Sequence, residues 1–557
     1  MNLSIIKNKY ILIKIFVLCM GILFFVPFLG KVVLFDWDEA NFAEAAREML
    51  VTKNFLQVQI DYKPFWEKPP LFFWLQAFCM YLFGICEFSA RLVNALCGIL
   101  TLLIVYSLGK RIFDYKFGLL WAMAFCGSFL PHLFFKSGII DPVFNLFIFL
   151  GIYFIAKSSL ENNTKTKNLF ICGIFLGLAT LTKGPVAILI AILCTLVYWF
   201  IIKFKAFLTI KSVIICALSC MAVSFLWYGI ETLFHGTWFI EEFIKYQIRL
   251  LTTPDAGHGR PFWFHFVVIL FGCFPASFFA IMAFIKSNNS DTPIQKNFKI
   301  WMIILFWVVL ILFSFVKTKT VLYSSLSYFP VTFLAAYYMH FVINQKFKLQ
   351  KAIVFFTLFF GLLIAVIISF FPVLMMHKEM ILPFVKDAFA KECLNYPVKW
   401  HYYEIIIGAV YAIFIIFSCL LLLKKRLFLG FVVILLSTAL CLQLFMIWFL
   451  PKIQFYAGAQ VVSFYKELAG KDVYLRPLFK SYADLFYSKK MPFNNPKSSN
   501  IEWLLNGEID KPAYFVARVT SAEKYRKMPQ LKEIKAEYGF VYFKRELTSK
   551  NKLKENN

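Results

Sequence analysis

A succession of apolar runs, most of them near the twenty residues that a helix needs to cross a bilayer, dominates this chain. They lie at 10–29, 89–109, 115–131, 141–157, 168–182, 184–202, 209–229, 262–284, 298–316, 321–342, 352–373, 404–423 and 427–449, about thirteen predicted helices. Residues AVILMFWYC make up 61% of the chain, Phe alone occurs 70 times, and the mean hydropathy is +0.71. Ordinary globular chains are about 45–50% apolar. Only a bilayer solvates that much apolar surface, so the expected class is an all-α polytopic membrane protein.

The basic residues fix an orientation. Lys7/Lys9, Lys110/Arg111/Lys116, Lys165/Lys167, Lys203/Lys205/Lys211, Lys286/Lys296/Lys299, Lys346/Lys348/Lys351 and Lys424/Lys425/Arg426 all fall on one side of the helix count. The positive-inside rule assigns that side to the cytoplasm. The other side, expected to be the periplasm, receives the first loop 30–88, then 230–261, 374–403 and everything after Pro451. A transmembrane domain 1–451 is thus followed by a periplasmic domain 452–549, with a disordered Lys/Asn tail at 550–557. The β-prone runs Val473–Leu475, Tyr514–Val516 and Phe540–Phe543 predict a small α/β fold there. The run 10–29 follows Lys7 and Lys9 but lacks a small-x-small cleavage site, and is read as a retained helix.

The net charge of +27 does not point to nucleic acid, because the cations sit in interhelical clusters and the last hundred residues rather than on a helical stripe or zinc-finger framework. The 13 Cys are scattered, mostly within apolar runs, and imply no disulfide framework.

Chemistry-bearing residues gather on the expected outer side. Asp36, Asp38 and Glu39 open a helical pattern in which Phe42, Ala46 and Met49/Leu50 recur, predicting an amphipathic helix at the membrane interface. Asp36 with Glu39 has capping-box spacing, which accounts for one acid but not for three. The segment Tyr62–Leu71 holds Glu67 and Lys68 rigidly before Pro69 and Pro70, among Phe65, Trp66 and Phe72. That arrangement suits a phosphate or a metal at the membrane surface, or a pair of snorkelling side chains. Asp141 precedes Pro142 at the start of an apolar run, where it serves as a cap or faces a polar cavity. Lys68, Lys183, Arg249, Lys317 and Lys319 break the cytoplasmic bias of the other cations. Cleavage of a sugar–phosphate bond needs such charges against the departing phosphate. Glu231, Glu241 and Glu242 read as ordinary loop charges.

The acid-led "AREM" helix, "EKPPL", and Phe83-Gly84 followed by Glu87-Phe88-Ser89-Ala90-Arg91-Leu92 together resemble the GT-C family. Its bacterial lipid A aminoarabinose transferases and the related dolichyl-phosphate-mannose protein mannosyltransferases carry similar motifs. Gly138–Pro142, Leu181–Pro185 and His258–Trp263 extend the resemblance through the membrane region in order. The resemblance implies a GT-C fold and a sugar donor joined to a polyprenyl phosphate. The acceptor would be a glycolipid or protein reached from the periplasm, with the enzyme in the inner membrane among its lipids. It makes Asp38 and Asp141 the catalytic candidates. Lys68, Arg249, Arg260, Lys183, Lys317 and Lys319 would bind the donor phosphate, with Asp36, Glu39 and Tyr323 supporting the substrate. Glu67 is the candidate metal ligand, for a divalent cation as sole cofactor. Where relatives often have a His-x-x-Arg pattern, this chain has Tyr246 before Arg249, so a metal site would need His258 as substitute.

The expected activity is sugar transfer to lipid A or another envelope glycolipid. Protein O-glycosylation by the same fold, a lipid-linked-sugar flippase and a structural membrane protein are the rival readings. The gathering of charged candidates on one side favours chemistry over transport, which would need polar groups at mid-membrane.

Overall fold

The computed structural model describes residues 3–160, 165–253, 259–492 and 495–547; the tail 550–557 lies outside them. Each of the thirteen predicted spans falls on a helix or a broken helix. Among the described residues eight helices are long and apolar enough to cross a bilayer, or nine if one bent pair counts as a span. The protein is a multi-pass membrane protein. The bent pair is Phe264–Gly272 and Ala276–Ile285, which meet at 114°. Pro275 stands at the break, where it removes a backbone donor and stops the helix.

Local sequence sets the helix starts. Thr292 and Gln295 form a reciprocal capping box ahead of Pro293–Phe315, and Asp114 accepts from the Phe117 amide at 2.9 Å to start Tyr115–Cys126. Small residues set the closest packing. Gly173 faces Ser219 and Cys216 so closely that a Cβ would run into them, which brings Lys165–Lys183 against Ile210–His235.

The two ends of the bundle differ. At one end the basic loops meet: Lys9 donates to Tyr115 at 3.3 Å, Lys110 lies over the Tyr10 ring, and Gln295 donates to the Ile112 carbonyl at 3.0 Å. At the other end lie the first loop and the C-terminal domain. The loop contains the helix Asp38–Thr52, a two-stranded hairpin (Gln59–Ile60 with Lys63–Pro64) and the apolar helix Leu71–Phe83. Asp61 and Tyr62 both have positive φ, 55° and 57°, as a two-residue hairpin turn requires.

The C-terminal domain is a four-stranded mixed sheet flanked by short helices. Tyr474–Pro477 pairs in parallel with Ala513–Arg518, which pairs antiparallel with Phe540–Arg545, and Lys532–Glu537 closes the edge. The two inner strands and the edge strand Tyr474–Pro477 fall on the predicted β-prone runs. The other edge strand was not foreseen, because its sequence KEIKAE is mostly charged and exposed, as a sheet edge tolerates.

The predicted surface helix at 38–52 is corrected by the structure: it is buried from Glu39 to Met49, charged residues included. Its arginine and several of its acids meet other protein groups instead of water or headgroups. Arg47 donates to Glu44 at 2.6 Å, to Tyr62 at 3.3 Å and to the Lys490 carbonyl of the C-terminal domain at 2.6 Å. Burial, then the neighbouring Glu44, pushes the Glu48 carboxyl up to about 9. Asp61 in the hairpin turn is paired by Arg476 at 2.9 Å and by Lys490. Glu231, Glu241 and Glu242 likewise sit on helices rather than in a loop, with Glu231 buried and paired to His235 at 3.1 Å.

Candidate functional site

The site is built around the start of the helix Asp38–Thr52. Asp36 does not cap it: its Oδ1 accepts from the Tyr482 and Ala483 amides of the C-terminal domain at 2.8 and 3.2 Å. The capping-box expectation thus fails: the helix has no side-chain cap, and Glu39 accepts instead from the Phe35 amide ahead of it at 2.9 Å. Trp37, between the two aspartates, takes φ 87°, a region costly for a residue with a Cβ. Asp38 follows as the first helical residue, reachable by solvent yet set among enough neighbouring atoms for its carboxyl to lose much of its hydration. Glu39 turns inward to a buried ion pair with Arg91 at 2.6 Å and also accepts the Gly138 amide at 2.5 Å. Glu39 is therefore a joint between the first loop, the helix Glu87–Ile112 and the turn before Asp141.

Asp141 begins its helix with Pro142 at the next position and is 2% exposed. Its Oδ1 receives Lys183 Nζ at 2.5 Å, while Oδ2 finds no hydrogen-bond partner among the described residues. Lys183 also lies 5.5 Å from the Tyr323 ring centre and 5.8 Å from that of Phe144. Asp38 feels both members of this pair. Its carboxyl is pushed above the ordinary Asp value first by burial and then by Asp141, against the pull of Lys68 and Lys183. Burial holds the Lys68 ammonium below the usual lysine range, with Glu67, Asp38 and Asp141 pulling it back up and Lys183 adding to the fall. Asp38, Lys68, Asp141 and Lys183 thus share one electrostatic neighbourhood.

Lys68 donates to the Glu67 carbonyl at 3.1 Å and lies 5.0 Å from the Tyr246 ring centre; the Arg249 guanidinium lies 5.2 Å from the same centre. The tyrosine that replaces the family's histidine therefore gathers two cations on its ring. Lys317 and Lys319 occupy a strand-like segment whose amides at Lys317 and Thr318 donate to the Leu251 and Leu250 carbonyls, next along the helix from Arg249. Gly259, beside Arg260, bridges to Thr318. Arg249, Arg260 and Lys317 are exposed, and Lys319 is buried, its ammonium lowered by burial and by Lys317. The sequence thus foresaw these groups, but not Arg91, which stood in a quoted motif without a role. Only its place beside the acid-led helix in the motif order hinted at a partner.

His258 lies outside the described residues. Among the described residues no three His, Cys, Asp or Glu side chains gather as metal ligands, and the acids near Glu67 are interleaved with Lys68 and Lys183.

Beside this cluster lies an apolar cavity of about 640 Å³ among the helices Lys165–Lys183, Val186–Ile201, Ile210–His235 and Trp238–Thr252. Thr180 and Pro185, which bracket Lys183 in the chain, line it together with Tyr228, Ile240, Phe243 and Ile244, and no charged side chain does.

The family model described as dolichyl-phosphate-mannose-protein mannosyltransferase matches residues 67–228. The undecaprenyl phosphate-alpha-4-amino-4-deoxy-L-arabinose arabinosyl transferase of Wigglesworthia glossinidia brevipalpis is 27% identical over 314 residues, 54% of this chain and 54% of that relative. The Proteus mirabilis transferase 1 of the same description is 27% identical over 344 residues, 61% of each chain. The matched part thus spans little more than half the length of these curated relatives. ArnT from Cupriavidus metallidurans, in its crystal structure bound to undecaprenyl phosphate, superposes with a TM-score of 0.75 at 15% identity, covering 96% of this chain and 98% of that one. That likeness establishes the fold. The resemblance carried by the motifs is therefore matched by sequence similarity to these aminoarabinose transferases and to the mannosyltransferase family model, and the chain has the fold of that ArnT structure.

Proposed function

We propose that the chain is an inner-membrane glycosyltransferase that moves a sugar from a polyprenyl-phosphate donor to an acceptor at the periplasmic face, lipid A or another envelope glycolipid. The observation that carries this reading is the junction of an uncharged cavity of about 640 Å³ with a cluster of cations and acids around the Asp141–Lys183 pair. An amphiphile with a long apolar tail and an anionic head fits such a junction, with the prenyl chain in the cavity and the phosphate at Lys68, Lys183 and Arg249. The names of the relatives point to the same donor class. The basic loops meeting at the opposite end support a periplasmic site.

In this reaction the bond from the anomeric carbon to the phosphate oxygen breaks as the acceptor oxygen attacks. The departing phosphate gains charge, which Lys68, Lys183 and Arg249 stabilise. Asp38 takes the proton of a hydroxyl acceptor, and an upward-shifted carboxyl is a better base near neutrality. For an acceptor phosphate, already anionic, Asp38 orients the sugar. Asp141 holds Lys183 in place.

The test is transfer from a purified prenyl-phosphate sugar by the full chain. Asp38→Asn should abolish transfer, and Lys68→Ala should lower kcat by about 10²–10³. With a hydroxyl acceptor, activity should fall with acid at a pH above the ordinary Asp value of 3.8, because the raised Asp38 must be ionised to act. Full activity in Asp38→Asn would refute the assignment, and lipid movement across vesicles without sugar transfer would replace the enzyme by a flippase.

A further inference from the structure

Resting on that transfer reaction, we propose that Lys480, carried to the entrance by the C-terminal domain and braced by Trp37, binds the phosphate of an anionic glycolipid acceptor. Lys480 Nζ lies 4.3 Å from the Trp37 ring centre. It is exposed, and no carboxylate lies within ion-pair distance of it among the described residues. Trp37 is itself 45% exposed, although burying an indole is the favoured outcome. Its φ of 87° is sustained by the Asp36 carboxylate, which grips the Tyr482 and Ala483 amides on the far side of the same segment.

The segment 480–483 therefore packs against Asp36 and Trp37, immediately before Asp38. Tyr482 lies 6.4 Å from Trp37, ring to ring, and burial and then the charge of Glu67 push its phenol up, so it faces the Glu67–Lys68 turn as well. Asp38 sits directly behind Trp37 in the chain. Lys68, Lys183 and Arg249 serve the leaving phosphate from the side of Asp141 and Tyr246, whereas Lys480 belongs to another domain and flanks Asp38 at Trp37. A base must reach the proton of the attacking oxygen, on the face of the anomeric carbon opposite the leaving phosphate, so a cation on this flank meets the acceptor rather than the donor. An unpaired ammonium poised on an indole suits a phosphate, which draws it off the ring into a charge-assisted hydrogen bond.

The experiment uses the full chain in detergent, the prenyl-phosphate donor, and a phosphorylated glycolipid beside its dephosphorylated form. Lys480→Ala should raise the acceptor KM about tenfold with the donor KM unchanged; Lys480→Arg should restore it, and Trp37→Ala should follow Lys480→Ala. On the dephosphorylated acceptor, wild type and Lys480→Ala should coincide. An unchanged acceptor KM in Lys480→Ala, an equal loss on both acceptors, or transfer to peptide in preference to the phosphorylated glycolipid would overturn the proposal. Equilibrium binding separates the two claims. If the wild-type chain binds the phosphorylated glycolipid and Lys480→Ala loses that binding while no transfer occurs, the subsite stands and the enzyme reading falls.

Discussion

Glu39→Gln is the most incisive perturbation of this fold, because it changes one charge and almost no volume. Glu39 Oε1 accepts from Arg91 Nε at 2.9 Å and from the Gly138 amide; Oε2 accepts from Arg91 Nη2 at 2.6 Å and from the Phe35 amide. A glutamine keeps one acceptor oxygen and turns an NH₂ toward two donors. The Arg91 guanidinium keeps the Leu29, Val32 and Val33 carbonyls at 2.7–2.9 Å but loses its counter-charge at 4% exposure. Removing one partner of a buried pair costs about 3–5 kcal/mol. The cost falls on the joint that sets Asp38 against the turn before Asp141, so transfer should fall together with stability. Unfolding midpoints in detergent and single-turnover transfer measure the two effects. In a double-mutant cycle, Arg91→Leu should add much less to Glu39→Gln than it costs alone. A Glu39→Gln protein within about 1 kcal/mol of wild type, or two losses that simply add, would refute the reasoning.

Two further outcomes follow from the same geometry. Burial, against Arg476 and Lys490, pushes the Asp484 carboxyl up to about 7 from an ordinary value of 3.8. A raised folded value gives stability that is complete below the unfolded value and lost as pH rises through the folded one. Docking of the C-terminal domain should therefore weaken by on the order of 4 kcal/mol from about pH 4 to about pH 7, and Asp484→Asn should flatten the profile in hydrogen exchange; an unchanged slope would sink the account. Gly184 has φ 106° and would drive a Cβ into the Phe243 ring at the cavity wall. Gly184→Ala should cost about 1–3 kcal/mol of strain and raise the donor KM, and an unaltered donor KM would place the prenyl chain elsewhere.

Hydropathy made the bundle legible because a span must satisfy its backbone internally over a fixed length, and every predicted run fell on a helix. The break at Gly272–Ala276 stayed hidden, since an apolar run reads the same whether straight or bent at a proline. The amphipathic helix Trp238–Thr252, which carries Arg249, was passed over as loop because fifteen residues are too few to span. Lys68 and Lys183 were legible as cations on the wrong side for a membrane protein, Asp38 by the acids clustered around it and Asp141 by its place before Pro142 at the start of an apolar run. Their partners were not: Glu39 and Arg91 lie 52 positions apart, and Asp36 meets the backbone of residues 482–483. Local pattern records which side chains are polar, and only the fold records what satisfies them.

The clasp between the first loop and the C-terminal domain has a consequence for biosynthesis. Arg47, Asp61 and Asp36 leave the ribosome within the first seventy residues, but Lys490, Arg476 and the Tyr482–Ala483 amides come more than four hundred residues later. Through the whole insertion of the bundle these charges wait for their partners, while Glu39 can already pair with Arg91 and seat the loop helix on the bundle. The clasp is thus closed last, and a chain interrupted before the final domain would hold the reacting residues yet leave the flank at Asp36 and Trp37 open.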